Sequence, residues 1–250
     1  MESPLISFKE AEHLIERNNV QSWKKQVVEQ VKSRILNKDY PCIFTKSAYD
    51  HDHIMINFIN DPFSEDDLNR SFVAINEFIT LINNTRNKQS ASMKTLLLCI
   101  DCNEMGADDE PKAVWHLLNG FLRLDSSAWP MDVPTDPENE EWAYSLLGKR
   151  AFITALTPSH KKRHSRNIGS HMVLLFQLRD GIEHVAPYNA KGDNIRELIR
   201  QRIEAYDDVP LAPDMTTHGD GGNKDWTQYW LGDSMESHTG KCPLHDKYGE

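Results

Sequence analysis

The sequence predicts an α+β fold, a single domain with a mixed, largely antiparallel sheet flanked by helices. Three observations carry this expectation. Apolar residues recur at helical spacing over several long segments, short apolar runs rich in branched side chains lie between them, and a turn at Gly148 joins two such runs as a hairpin. Hairpins place strands antiparallel, whereas a doubly wound parallel sheet needs a helical crossover between each pair of strands.

Between residues 7 and 37, Phe8, Ala11, Leu14 and Ile15, then Val20, Trp23, Val27, Val28, Val31 and Ile35, follow helical spacing, with Asn18 and Asn19 marking a break between two helices. Residues 1–39 read as an N-terminal helical segment packed on the core, and residues 40–250 as the main domain. Residues 40–44 (YPCIF) are expected to be extended, with residues 53–59 (HIMINFI) as their partner strand. Residues 64–81 spell an amphipathic helix through Leu68, Phe72, Ile75, Phe78 and Ile79. Ser64 is its N-cap, and Asp66 and Asp67 lie in the first turn. Residues 95–100 (TLLLCI) form a buried strand, and residues 111–124 a helix opened by Pro111. Residues 142–147 and 151–156 form the hairpin, residues 171–178 a further strand, and residues 193–206 a helix carrying Ile195, Leu198, Ile199 and Ile203.

With 250 residues the chain can bury a sizeable core. Its net charge of −10 argues against a nucleic-acid backbone or an anionic membrane as partner, since both call for a basic surface. The start, MESPLISFKEAEHLIERN, lacks the basic flank and apolar core of a secretory signal, and no apolar run reaches membrane-spanning length, so a cytoplasmic location is expected. Four cysteines are too few for a disulfide scaffold at this length and are expected to be reduced.

The run TPSHKKRHSR, residues 157–166, sets lysines, arginines and two histidines in a loop directly after the apolar segment AFITAL. Alone, such a cluster is a solvated basic turn. Its neighbours in the sequence give it meaning: the tryptophan- and proline-rich stretch of residues 115–159, DWTQYWL at 225–231, CPLH at 242–245, and YPCIF at 40–44. In this order the motifs resemble the YqcI/YcgG family of bacterial proteins, from about Tyr40 to Leu244. The resemblance implies a haem-dependent oxygenase in residues 40–250 that N-hydroxylates an amine or guanidine of a small cationic, amino-acid-like substrate. Haem b would be the cofactor and dioxygen the co-substrate. No flavin or nicotinamide fingerprint is visible, so electrons are expected from an external donor.

By the same resemblance His160 is the leading iron ligand, with Arg163 and Arg166 in reach of the haem propionates through charge-assisted hydrogen bonds. Cys42 is the rival ligand, because a thiolate pushes electron density onto haem iron. Trp129, in the rigid WPMDVP segment, and Trp226 offer flat walls for a macrocycle, although aromatic residues serve core packing by default. Asp125 and Gln228 are the catalytic candidates, Asp125 as the carboxylate facing a substrate cation. Departures from the family pattern at His164, Thr227 and Leu244 weigh against transferring a named substrate.

Two readings of other classes stand beside this one. A haem carrier or sensor would use the same pocket without turnover. A zinc or non-haem iron protein would use Cys99, Cys102 and Cys242, with His245 completing a Cys3His set. Against the second, residues three apart at the end of a strand point to opposite faces. The glycine-rich HGDGGNKD, residues 218–225, lacks the strand and Lys-Ser/Thr of a phosphate-binding loop and reads as a turn or lid.

Overall fold

Side chains alternate across the strands, and this alternation sets two different layers on the two faces of one sheet. The computed structural model describes residues 3–17 and 20–244. The expected helix break at Asn18 and Asn19, and His245, lie outside the described residues. In chain order the elements are β1 (Ile6–Ser7), α1 (Phe8–Glu16), α2 (Ser22–Leu36), α3 (Thr45–Asp50), β2 (Ile54–Ile59), α4 (Glu65–Asn84), α5 (Lys88–Ser92), β3 (Thr95–Ile100) and α6 (Glu110–Leu124). They continue with β4 (Ser145–Leu146), β5 (Lys149–Leu156), β6 (Met172–Leu178), α7 (Arg179–Val185) and α8 (Ala190–Tyr206). Two short 3-10 turns, His164–Arg166 and Asp225–Gln228, lie in the connecting loops.

The sheet has six strands in the order β1-β2-β3-β6-β5-β4. Only β2 and β3 pair parallel; the other neighbours are antiparallel. This is the α+β fold with a mixed, largely antiparallel sheet that the sequence predicts. The single parallel pair follows from α4, which crosses over between β2 and β3 as a parallel connection requires.

One face is filled. Leu96, Leu98 and Ile100 of β3, Leu174 and Phe176 of β6, and Ile153 and Ala155 of β5 pack beneath α4 and α6. The helices approach closely because Gly120 of α6 carries no side chain: a Cβ there would come within 2.6 Å of Leu68 on α4. Ser64 caps α4 as expected, its hydroxyl accepting from the Asp67 N–H. The other face is covered in part. Trp23, Val27, Val28, Val31 and Ile35 of α2 pack with Ile54 and Ile56 of β2, Leu97 and Cys99 of β3, and Val173 of β6. Ser7 holds α1 in a capping box, its hydroxyl accepting from the Glu10 N–H while the Glu10 carboxylate accepts from the Ser7 N–H.

Two local expectations are corrected. Residues 40–44 do not pair with β2, whose neighbours are β1 and β3. Arg202 of α8 donates to the carbonyls of Lys38, Tyr40 and Pro41, so these backbone groups are satisfied without a strand partner. The hairpin turn is Leu147–Gly148, not Gly148 to Arg150: both turn residues have positive φ, 53° and 69°, and β5 already begins at Lys149. Two left-handed residues match the twist of a two-residue hairpin.

Candidate functional site

On its less covered face the sheet borders a cavity of about 380 Å3. Its floor comes from alternate residues of the strands: Leu97 of β3, Val173 and Leu175 of β6, and Phe152 and Leu156 of β5. Val31 and Ile35 of α2, Ala48 of α3, Ile182 of α7 and Ile199 of α8 supply apolar walls. A concave, mostly apolar space with a few polar groups is the usual form of a small-molecule site. Most of the charged groups come from two stretches of the sequence, with Ser92, Thr95 and Gln177 lying between them. Arg34, Tyr40 and Cys42 come from the end of α2 and the loop after it, and the Cys42 side chain is exposed. Arg179, Tyr188, Arg196, His218, Asp225 and Gln228 come from α7, α8 and the loops around residues 188 and 218–228.

The second group is built around a buried ion pair, Arg179 with Asp225, and the Arg179 guanidinium lies over the Phe152 ring at 5.3 Å. His218 Nδ1 stands 3.4 Å from Asp225 Oδ1, and its ring lies 6.4 Å from that of Tyr188. Arg196 covers the other ring, 5.2 Å from the Tyr188 centroid. Burial raises the pKa of the Tyr188 hydroxyl, with Arg179 acting in the opposite direction. His218 and Asp225 are the two ends of the glycine-rich run, and Gly219 and Gly222, at φ of 80° and 85°, turn the chain so that both ends reach the cavity.

The loop of residues 157–166 has a different place. His160 is buried, with both ring nitrogens engaged inside the chain: Nε2 faces the Leu231 carbonyl and Nδ1 lies 2.8 Å from the Thr157 hydroxyl. A carbonyl only accepts, so Nε2 carries the proton and Nδ1 accepts from Thr157. Burial pushes the His160 pKa down to about 4, against the bond to Leu231. Arg163, fully buried, donates to the carbonyls of Gly232 and Pro210 at 3.0 and 3.2 Å. The Arg166 guanidinium donates to the Gln228 carbonyl at 3.2 Å, and burial lowers its pKa to about 10. Asp233 accepts the backbone N–H groups of Lys161, Lys162 and Arg163. Although burial alone would raise its pKa, those bonds hold it below the usual carboxylate range.

This loop is therefore a latch that fastens residues 207–210 and 228–234 to the end of β5. None of His160, Arg163 and Arg166 lines the cavity, and the arrangement leaves neither nitrogen of His160 for a metal. The latch acts on the site indirectly, because the turn it fixes carries Asp225 and Gln228. Of the expected haem and substrate residues, Gln228 and the rival ligand Cys42 border the cavity; the Gln228 side chain donates to Asn223 Oδ1 at 3.0 Å.

Asp125 is committed elsewhere. Its carboxylate accepts from the Ser127 N–H at 2.8 Å and from the Leu147 N–H at 2.8 Å, which props the hairpin turn. Trp129 donates to the Val133 carbonyl and stacks near Trp142, while Trp226 is buried against His238. The cysteine set is dispersed: Cys99 lies in the cluster under α2 and Cys102 in the cluster under α6, on opposite faces of the sheet. Burial raises both thiol pKa values, that of Cys102 to about 12. Among the described residues no three His, Cys, Asp or Glu side chains are grouped to hold a metal ion. Sequence reasoning missed His218, Arg179 and Asp225 as a site. The available signal was the glycine-rich run bracketed by a histidine and an aspartate.

The sequence model of the YqcI/YcgG family matches residues 31–245. The chain belongs to the YqcI/YcgG family. Among YqcI/YcgG relatives, the uncharacterized protein YqcI of Bacillus subtilis (strain 168) is 29% identical over 235 residues, 91% of this chain and 90% of its own. The uncharacterized protein YcgG of the same strain is 32% identical over 210 residues, 82% and 80% of the two chains. A Streptomyces lavendulae member, provisionally named N(omega)-hydroxy-L-arginine synthase DcsA, is 25% identical over 232 residues, 91% and 86% of the two chains. No solved structure gives a significant match. Among the described residues of this YqcI/YcgG member, no helix is long and apolar enough to cross a membrane.

The YqcI/YcgG resemblance implies haem, and the residues present divide on whether they suit it. The His160 set does not, its donor atoms being used within the latch. The cavity set suits it in part: Cys42 offers an exposed sulfur, the strands a broad apolar floor and Arg34 positive charge, while the Arg196 guanidinium is already donated to the Ala186 and Pro187 carbonyls and to Asp193.

Proposed function

We propose that the cavity is the active site of an oxygenase that N-hydroxylates an amine or guanidine group of a small amino-acid-like substrate. Haem b would be its cofactor, dioxygen its co-substrate and an external donor its source of electrons. The observation that carries the reading is the cavity itself, apolar over the sheet and polar where α7 and the Asp225–Gln228 turn meet, in a family with a member named for N-hydroxylating arginine. When bound, haem supplies the activation of dioxygen; the protein supplies orientation, charge and exclusion of water. Cys42 would be the iron ligand, and Arg34 would meet a haem carboxylate. The apolar floor strengthens each electrostatic contact made within the cavity, and the fixed walls hold a target nitrogen in one orientation.

The test is to purify the protein from cells supplied with a haem precursor and record visible spectra, reduced, with and without carbon monoxide. Wild type is expected to carry haem and to add one oxygen to L-arginine or a related amine or guanidine, seen as a 16-dalton mass gain (about one oxygen atom per turnover). Cys42→Ala is expected to change the ligand signature, and His160→Ala to lower thermal stability with the signature retained. A protein free of haem despite ample supply overturns the haem reading. Loss of the signature in His160→Ala with Cys42→Ala unaltered returns the ligand to the latch.

A further inference from the structure

Residues 187–200, the loop after α7 and the larger part of α8, wall the cavity through Tyr188, Arg196 and Ile199. This segment is bonded largely to itself. The Arg196 guanidinium donates to the Ala186 and Pro187 carbonyls at 2.6 and 3.1 Å and to Asp193 at 2.6 Å, and it covers the Tyr188 ring. The Asn189 side chain caps α8, accepting from the N–H groups of Lys191 and Gly192. Gly192 sits directly on the Pro187 carbonyl, where a Cβ would come within 1.8 Å. Loop and helix start therefore make one rigid piece.

That piece has a light hold on the body beneath it. Among residues 187–200 Gly192 alone is buried, and it packs on the piece itself. Ile199 borders the cavity instead of a packed layer, so it forgoes much of the dispersion attraction that fastens α4 and α6. Two ties reach outward: Arg200 donates to the Thr217 hydroxyl at 2.8 Å, and Tyr188 has its hydroxyl beside Arg179 and its ring 6.4 Å from that of His218. The ends of the piece differ. Upstream the chain leaves α7 at Ala186 in a non-helical conformation, φ −132° and ψ 71°. Downstream the last turn of α8 is pinned, with Arg202 on the carbonyls of Lys38, Tyr40 and Pro41, Ile203 buried, and the Tyr206 hydroxyl accepting from Arg34 at 2.6 Å. A helix pinned at one end and joined to a loop at the other is a lever, roughly 20 Å long from Ile203 to Ala190 at the α-helical rise. We infer that residues 187–200 are a lid over the cavity, pivoting on the last turn of α8 and bending at Ala186, with the Arg200–Thr217 bond and the Tyr188 contacts as its clasp. Opening breaks the clasp and keeps the internal bonds of the piece, so it costs far less than unfolding the chain. The inference rests on the cavity and its wall, whatever the occupant.

The lid is tested by measuring distances between paired spin labels on the purified full-length protein. One label goes on exposed Asn194→Cys in the lid and the other on exposed Lys25→Cys in α2, in a Cys42→Ser, Cys242→Ser background; Cys99 and Cys102 are buried. A control pair joins Lys25→Cys to Asn69→Cys, exposed on α4. Thr217→Val removes the hydroxyl while keeping the side-chain shape, and Tyr188→Ala removes the other half of the clasp. Loss of a hydrogen bond to a charged group is expected to move the open-to-closed ratio about tenfold in Thr217→Val. In the double variant a distance longer by roughly 5 Å or more, as a lever of this length allows, is expected to dominate. The control pair is expected to stay constant. One distance, the same in wild type and in the folded double variant, overturns the lid. So does a lengthening that the control pair shares, because it marks loosening of the whole molecule. Where the double variant does not fold, Thr217→Val decides, and an unchanged distribution there overturns the lid.

Discussion

His160 is held neutral, and that choice has a pH consequence. Its folded pKa of about 4 lies below the ordinary 6.5, so the unfolded chain binds the proton more readily than the folded one. At neutral pH neither state is protonated and nothing is lost; as pH falls from about 6.5 towards 4, stability declines, by on the order of 3 kcal/mol if the shift is fully expressed. The expected outcome is a thermal midpoint that drops over this range in wild type and drops less in His160→Gln, followed by calorimetry. Asp125 makes the second residue-scale case. Asp125→Ala removes the acceptor for the Ser127 and Leu147 N–H groups and is expected to cost about 2–3 kcal/mol in urea unfolding. Affinity at the cavity is expected to be unchanged. The sequence marks both residues as special by their surroundings, a histidine after an apolar strand and an acid before a tryptophan wall. It does not say where their polar atoms aim, because that depends on segments far along the chain: Leu231 for His160 and Leu147 for Asp125.

Among elements, the long ones are legible and the short ones are not. Helices α2, α4, α6 and α8 repeat their apolar pattern over several turns, and β3, β5 and β6 are apolar enough to read as strands. By contrast β1, with two residues, and α5, with five, are too short for any period to show. Residues 40–44 mislead for a different reason: their apolar, proline-containing sequence suits an extended segment, but Arg202 satisfies their carbonyls before a strand can. Close packing between α4 and α6 gives the element-scale prediction. Gly120→Ala forces a methyl group against the fully buried Leu68 and is expected to destabilise by about 1–3 kcal/mol, measured by denaturant unfolding at constant slope.

At the scale of the molecule, the sheet separates a packed face from one that holds the cavity. The apolar runs announce a buried sheet, but no pattern in them tells which face is completed by helices and which is left for a guest. That division predicts an asymmetric response to ligand. In hydrogen exchange, a bound guest is expected to protect α7, α8 and residues 216–228, and to leave α4 and α6 as they were, apart from any gain in global stability. Uniform protection would count against a guest seated on the cavity face.

The latch also orders events during synthesis. A nascent chain that has released residues as far as β6 owns every strand of the sheet and the α2 wall, but not His218 or Asp225, and its latch loop has no Leu231, Gly232 or Asp233 to close upon. The polar wall of the cavity is thus among the last parts to be made, after the sheet that supports it. The cavity's side at α7 and α8 is therefore complete only when residues 216–228 have been delivered.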